Sequence, residues 1–197
     1  MKLHRALSAS AATAALIPMA VAAAPASQAS PAADIPQCSE IGSPHSNNVL
    51  VGRSFGIPAS VALGTHWTTY TATLTNTSAK ELKSFELRGK LGSYVYNEGE
   101  RDLSPYGDLQ YWDTSQRTWK TLRQADGKAG GTIPAPKTLE PRESVHVQLR
   151  FRVSKDLPLD HTYDAFTGLT GTFVDRYRDM DCTAHGDADG GFYPRKG

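Results

Sequence analysis

The chain has 197 residues, 39% of them hydrophobic and 21% charged, with 17 glycines, 12 prolines and 2 cysteines. Such a composition fits one globular domain with extensions and excludes collagen-like, coiled-coil and wholly disordered chains. Lysine and arginine total 21 against 20 acidic residues, a net charge of +1, so the chain as a whole has no basic excess to hold a nucleic acid.

The first segment, with Lys2 and Arg5, is basic; Ala6 to Ala24 is uncharged and apolar, and small residues around Ser27 and Ala29 follow. Residues 1–29 therefore read as a secretory signal peptide, with Pro18 and the small residues arguing against a membrane anchor. Cleavage after Ala29 would remove Lys2 and Arg5 and no acid, moving the net charge from +1 to −1. Residues 30–47 form an Ala-, Pro- and Ser-rich lead-in, expected to be flexible, that contains Cys38. No later apolar run is long enough to span a bilayer, so the processed chain is expected to be secreted and extracellular, with no membrane contact.

Cys38 and Cys182 are the only cysteines, and in an oxidising compartment each has only the other as an intramolecular partner. A disulfide between them would tie both ends to one domain. A redox role would call for Cys-x-x-Cys or an activated thiol, and neither pattern is present.

Between residues 48 and 175 the chain reads as short strands. The clearest is 145–153, where Val145, Val147, Leu149, Phe151 and Val153 alternate with His146, Gln148, Arg150 and Arg152; a period of two describes a half-buried strand. Further strands are expected at 48–51, 66–76, 82–91, 93–96 and 165–174, with a hairpin joining 109–112 to 118–122 across a polar turn. Glycine and proline punctuate the joins. Residues 176–197, with Asp179, Asp181, Asp187 and Asp189, read as a polar tail tethered through Cys182. The pattern predicts an all-β fold, an immunoglobulin-like antiparallel β-sandwich of about seven to nine strands. It is not a true immunoglobulin domain, because the two cysteines flank the strands.

The stretches Gly56-Ile57-Pro58-Ala59-Ser60, Gly64-Thr65-His66-Trp67, Tyr70 to Ser78, Leu109-Gln110-Tyr111-Trp112-Asp113 with Trp119-Lys120, and Leu139 to Ser144 resemble an uncharacterised family of exported actinobacterial proteins. The resemblance covers roughly residues 50 to 175. It implies export and an immunoglobulin-like sandwich, and brings no activity or catalytic residues. Some members end in a sortase signal and membrane tail; the ending here, Phe192 to Gly197, does not resemble it, which implies release.

Four constellations are candidates for chemistry. Gly52-Arg53-Ser54-Phe55-Gly56 matches the G-x-S-x-G of a nucleophile elbow, which needs a strand before the serine and a helix after it. Gly56-Ile57-Pro58 stands where the helix should begin, so the stretch reads as a turn between edge strands. His45, His66, His146, His161 and His185 are scattered without metal-ligand spacing, and no cofactor or metal is expected. Asp187 and Asp189 with Gly190 and Gly191 are weak Ca²⁺ ligands, lacking the third aspartate and the closing glutamate of an EF-hand loop.

The aromatics Tyr94, Tyr96, Tyr111, Trp112 and Trp119 make a better binding hypothesis. Adjacent strand residues face opposite sides, so of Tyr111 and Trp112 one points outward, and Trp119 can stand beside it across the hairpin; the competing reading has these rings filling the core. Asn76-Thr77-Ser78 has the form of an N-glycosylation acceptor but reads as a strand-ending turn. The resulting expectation is a secreted, non-enzymatic β-sandwich that binds or has a structural role outside the cell, with a polysaccharide, the cell envelope or an extracellular protein as partner and no nucleic acid. The alternatives are a small secreted hydrolase using Ser54, and a protein-partner or inhibitor module.

Overall fold

In a computed structural model, residues 35–43, 49–95 and 101–197 are described; the expected signal peptide, parts of the lead-in and Tyr96 lie outside them. Along the chain run β1 (Leu50–Phe55), β2 (Ser60–Ala62), β3 (Thr68–Asn76), β4 (Leu82–Ser93), β5 (Gly107–Asp113), β6 (Thr118–Leu122), β7 (Gly130–Ile133), β8 (Thr138–Leu139), β9 (Ser144–Val153), β10 (Ala165–Tyr177) and β11 (Met180–Arg195). A 3-10 turn at Ser104–Tyr106 is the only helical element among the described residues.

Two sheets pack face to face. One has the order β1-β3-β9-β5-β6; the other has the order β2-β11-β10-β4-β7, with β8 also paired to β4. The fold is an all-β, immunoglobulin-like sandwich of eleven strands, two more than the upper expectation, with β2, β7, β8 and β11 falling outside the expected strands. One pair departs from antiparallel, as β2 runs parallel to the end of β11.

Alternation assigns each side chain to a face. From the first sheet Tyr70, Leu74, Leu109, Leu149 and Phe151 point inward, and from the second Phe85, Leu87, Leu169 and Phe173 meet them, all 3% exposed or less. Each such burial is worth roughly 1.5–3 kcal/mol before conformational entropy is subtracted. In β4 the period of two breaks once, at Ser84 (φ 51°), where the register against β10 shifts. This bulge lets Leu82 and Phe85, three apart, both face the core.

Two expectations need correction. Residues 176–197 are not a tail, since β11 pairs with β10 from Tyr177↔Met180 to Ala165↔Phe192. From Cys182 to Ala188 its buried positions are Cys182, Ala184, Gly186 and Ala188, with His185 and Asp187 exposed between them, and Phe192 is buried further on. The alternation is therefore one of size, which hydropathy does not register. Small residues are needed because the sheets approach closely: a Cβ on Gly186 would lie 2.2 Å from the Leu50 carbonyl oxygen. The separate strand expected at 93–96 is also absent from its described part, where β4 ends at Ser93.

The Cys38 to Cys182 disulfide is formed. Around it the lead-in is pinned to β11, with Cys38 N–H donating to Thr183 O (2.9 Å) and Thr183 N–H to Pro36 O (2.8 Å). No helix among the described residues is long and apolar enough to cross a membrane.

Candidate functional site

Ser54 lies inside β1, not at a turn, and pairs with Ala72 on the core side of the sheet. Its hydroxyl donates to the Ala188 carbonyl at 2.5 Å, and the strand continues to Phe55 without a helix. The preceding Gly52 makes room for β11, since a Cβ there would sit 2.0 Å from the Asp187 carbonyl oxygen. His146, paired with Thr73, is on the opposite face of the sheet. The G-x-S-x-G stretch is thus a packing device that lets β1 fold onto β11, and its serine is engaged.

The solvent face of the five-stranded sheet gathers the aromatic residues. Pairing puts Trp112 directly opposite Trp119, and the rings meet edge to face at 5.4 Å and 64°. Tyr111, one residue earlier, turns inward and packs against the core, so Trp112 is the outward member of that pair. Next to Trp119 lies Arg150, whose guanidinium is 4.3 Å from the Trp119 ring centre and 4.5 Å from that of Trp67. Arg152 lies on Trp67 as well, at 4.6 Å. The result is a row Trp112, Trp119, Arg150, Trp67, Arg152 that contains every tryptophan of the chain. Cation–π contacts of this kind contribute about 0.5–1 kcal/mol each at exposed sites.

Hydrogen bonds fix the row from β5. Arg150 Nε donates to Gln110 Oε1 (2.8 Å), and Gln110 Nε2 donates to Thr121 Oγ1 (3.0 Å). Arg152 pairs with Asp108 at 2.9 Å, and Arg123 takes the other oxygen of that carboxylate. Burial, and then the charge of Arg152, hold the Arg150 pKa below its ordinary value. Toward β1 the same face continues through Thr71, Thr73 and Thr75 to Phe55, Arg53 and Val51, with Phe55 60% exposed. Sequence reasoning found Trp112 and Trp119 but missed Trp67 and Arg150. Parity could have found them, since Trp67 shares the phase of the outward threonines of β3 and Arg150 is an outward position of β9.

The remaining aromatic candidate is elsewhere. Tyr94 packs on Phe166 at 4.5 Å, beside the other sheet, so the predicted rings do not form one patch.

Asp187 and Asp189 stand on the outer side of β11, in a strand and not a loop. Lys90 of β4 reaches both across β10, at 2.9 and 2.8 Å. Gly168, the β10 residue between Lys90 and Asp189, makes this possible, for its Cβ would fall 2.2 Å from Asp189 Oδ1. An ammonium therefore occupies the space where these carboxylates would hold Ca²⁺, and no group of three metal-binding side chains occurs among the described residues. Burial raises the Asp189 pKa despite Lys90. For Asp187 burial opposes the charge, but the Thr170 hydroxyl and Lys90 outweigh it and lower the pKa.

Replacing Lys90 by methionine is expected to cost about 1 kcal/mol at pH 7, a small figure because all three groups are partly solvated. Without the ammonium both carboxyls titrate higher than in the wild type, so the cost is full where both are ionised. It fades as the pH falls to about 4, where the unfolded groups also protonate. Urea denaturation of both proteins between pH 4 and 7 reads this directly, and a deficit that stays constant with pH contradicts it.

No family model matches the chain, and no curated protein matches it in sequence. Solved structures do resemble it. AvmM, described as catalysing macrocyclization in alchivemycin A biosynthesis, superposes with a TM-score of 0.51 at 15% identity, over 77% of this chain and 92% of its own. The reeler domain of human F-spondin (TM-score 0.38, 16% identity, 76% and 91% covered) and the Bacillus cereus pilin subunit BcpA (0.34, 8%, 75% and 40%) are looser superpositions. At 15% identity the AvmM likeness is one of fold alone.

Proposed function

We propose that this chain is an exported, non-enzymatic binding domain whose ligand face is the outer surface of the five-stranded sheet, and that the ligand is a polysaccharide. The observation that carries this reading is the tryptophan and arginine row. It crosses the strands from the head of β3 to β6, three strand spacings or roughly 15 Å, on a flat face of hydroxyls and amides. Flat rings with polar neighbours suit the apolar faces and hydroxyl rims of sugars. A row already held by cation–π contacts loses little side-chain entropy when a ligand settles on it. Export is supported by the signal-like start and the disulfide, and the absence of a catalytic role for Ser54 by its hydrogen bond into the opposite sheet.

Retention on insoluble polysaccharides and on a glycan array tests the reading. The wild-type protein is expected to be retained, with Trp112→Ala and Trp119→Ala each weakening binding about tenfold, or about 1.4 kcal/mol. Undiminished binding by the double variant would remove this face from the account. A protein partner is the second reading, favoured by Phe55 and Val51, 60% and 40% exposed at the β1 end of the face. Co-purification from culture medium that is lost in Phe55→Ser separates it from sugar binding.

A further inference from the structure

The chain is nearly neutral overall, but its charges are not evenly spread. On the outer face of the five-stranded sheet, pairing places Arg53 on β1, Arg150 and Arg152 on β9, and Asp108 on β5, and Arg123 joins them through its pair with Asp108. Asp108 is shared between Arg152 and Arg123, leaving Arg150 with the neutral Gln110 as its only hydrogen-bond partner among the described residues. Arg53 has no ion pair among the described residues. One face of a neutral molecule therefore has an excess of fixed positive charge within its aromatic row, while acidic side chains such as Asp187 and Asp189 stand on the other sheet.

Arg150 is the most specific of these groups. Its planar guanidinium is clamped between Trp67 and Trp119, its Nε is used, and its two terminal nitrogens have no partner among the described residues. A guanidinium edge of this kind matches a carboxylate in a two-pronged geometry that an ammonium does not reproduce.

Building on the proposed polysaccharide reading, we infer that the ligand is a uronate-bearing polysaccharide, with sugar rings against Trp112 and Trp119 and a ring carboxylate taken by the terminal nitrogens of Arg150. A carboxylate there also relieves the repulsion between Arg150 and Arg152. A nucleic acid is less well matched, since four guanidiniums with one shared carboxylate neutralise few phosphates, and nucleic-acid affinity depends on many such contacts.

Isothermal titration of the protein purified from culture medium tests this with polygalacturonate, alginate and hyaluronan. Each is compared with its methyl-esterified form, which keeps the rings and removes the charge, and single-stranded DNA serves as a second polyanion. The expected result is binding to at least one uronate polymer, at least tenfold weaker for its ester and weakened by salt. Arg150→Gln removes that preference, and Arg150→Lys, which keeps the charge without the fork, restores it only in part; thermal melting of both variants reports whether the sheet is intact. Equal binding of acid and ester overturns the uronate assignment and leaves polysaccharide binding standing, whereas no binding to any polysaccharide, charged or neutral, overturns both. Tighter binding to DNA than to every uronate polymer also overturns the assignment.

Discussion

Replacing Cys38 and Cys182 together by alanine is expected to lower the free energy of unfolding by about 5 kcal/mol. The bridge spans a sequence separation of 144 residues, nearly the whole sandwich, so in the unfolded chain it closes about the largest loop the domain allows. The chain-entropy relation gives roughly 5 kcal/mol for a loop of that length. Domains of this size are stable by about 5–15 kcal/mol, so the variant should populate unfolded chains at ordinary temperatures. Alanine is preferred to serine, because both sulfurs are fully buried and a hydroxyl there would add the cost of an unpaired polar group. Guanidinium denaturation of the wild type, the variant and the reduced wild type gives the comparison. A midpoint shift worth less than 1 kcal/mol would mean that the turn around Cys38 frays without the domain noticing, and that the bridge constrains only residues 35–43.

Legibility in the sequence follows the residues. β9 and β3 were readable because large aliphatics alternate with polar groups, and hydropathy records both terms. β11 was not, since its inward residues from Cys182 to Ala188 are cysteine, alanine and glycine, chosen for thinness where the sheets come together, and its outward aspartates look like solvated loop. The same thinness hid the role of Gly52, whose motif resembles a catalytic turn while the residue itself clears a path for β11. The Trp112 and Trp119 pair was readable because the hairpin turn sets its register locally. Arg150 could not be tied to Trp67 in the same way, as their contact depends on β3 lying next to β9, a pairing that joins segments some eighty residues apart. Charge was misleading for a related reason: a sum over the chain cannot show that Arg53, Arg150, Arg152 and Arg123 share one sheet with a single carboxylate, Asp108, between them, because only the strand order brings them together.

Asn76→Leu is expected to cost about 3–5 kcal/mol, the larger part from carbonyls left without donors. Asn76 ends β3 and is fully buried. Its amide nitrogen donates to the carbonyls of Lys80 (2.7 Å), Glu140 (3.0 Å) and Leu139 (3.1 Å), and its oxygen accepts from the Ser78 N–H and hydroxyl at 3.0 and 2.7 Å. One side chain thus joins the turn after β3 to the turn before β9, and each buried group stranded by its loss costs about 1–3 kcal/mol. Leucine keeps the branching and the number of side-chain heavy atoms but is larger, so overpacking of this fully buried site adds to the lost hydrogen bonds. Asn76→Asp separates hydrogen bonding from shape: a buried carboxylate facing three carbonyls has its pKa raised by burial and by those dipoles. An acid whose folded pKa is raised loses stability as the pH climbs from its unfolded value, near 4, through the folded one. The aspartate variant should therefore be closest to wild type at pH 4 and fall further behind toward pH 8, while the leucine deficit stays constant. Equal, pH-independent losses for the two variants would show that the amide's shape, and not its hydrogen bonds, holds the two turns together.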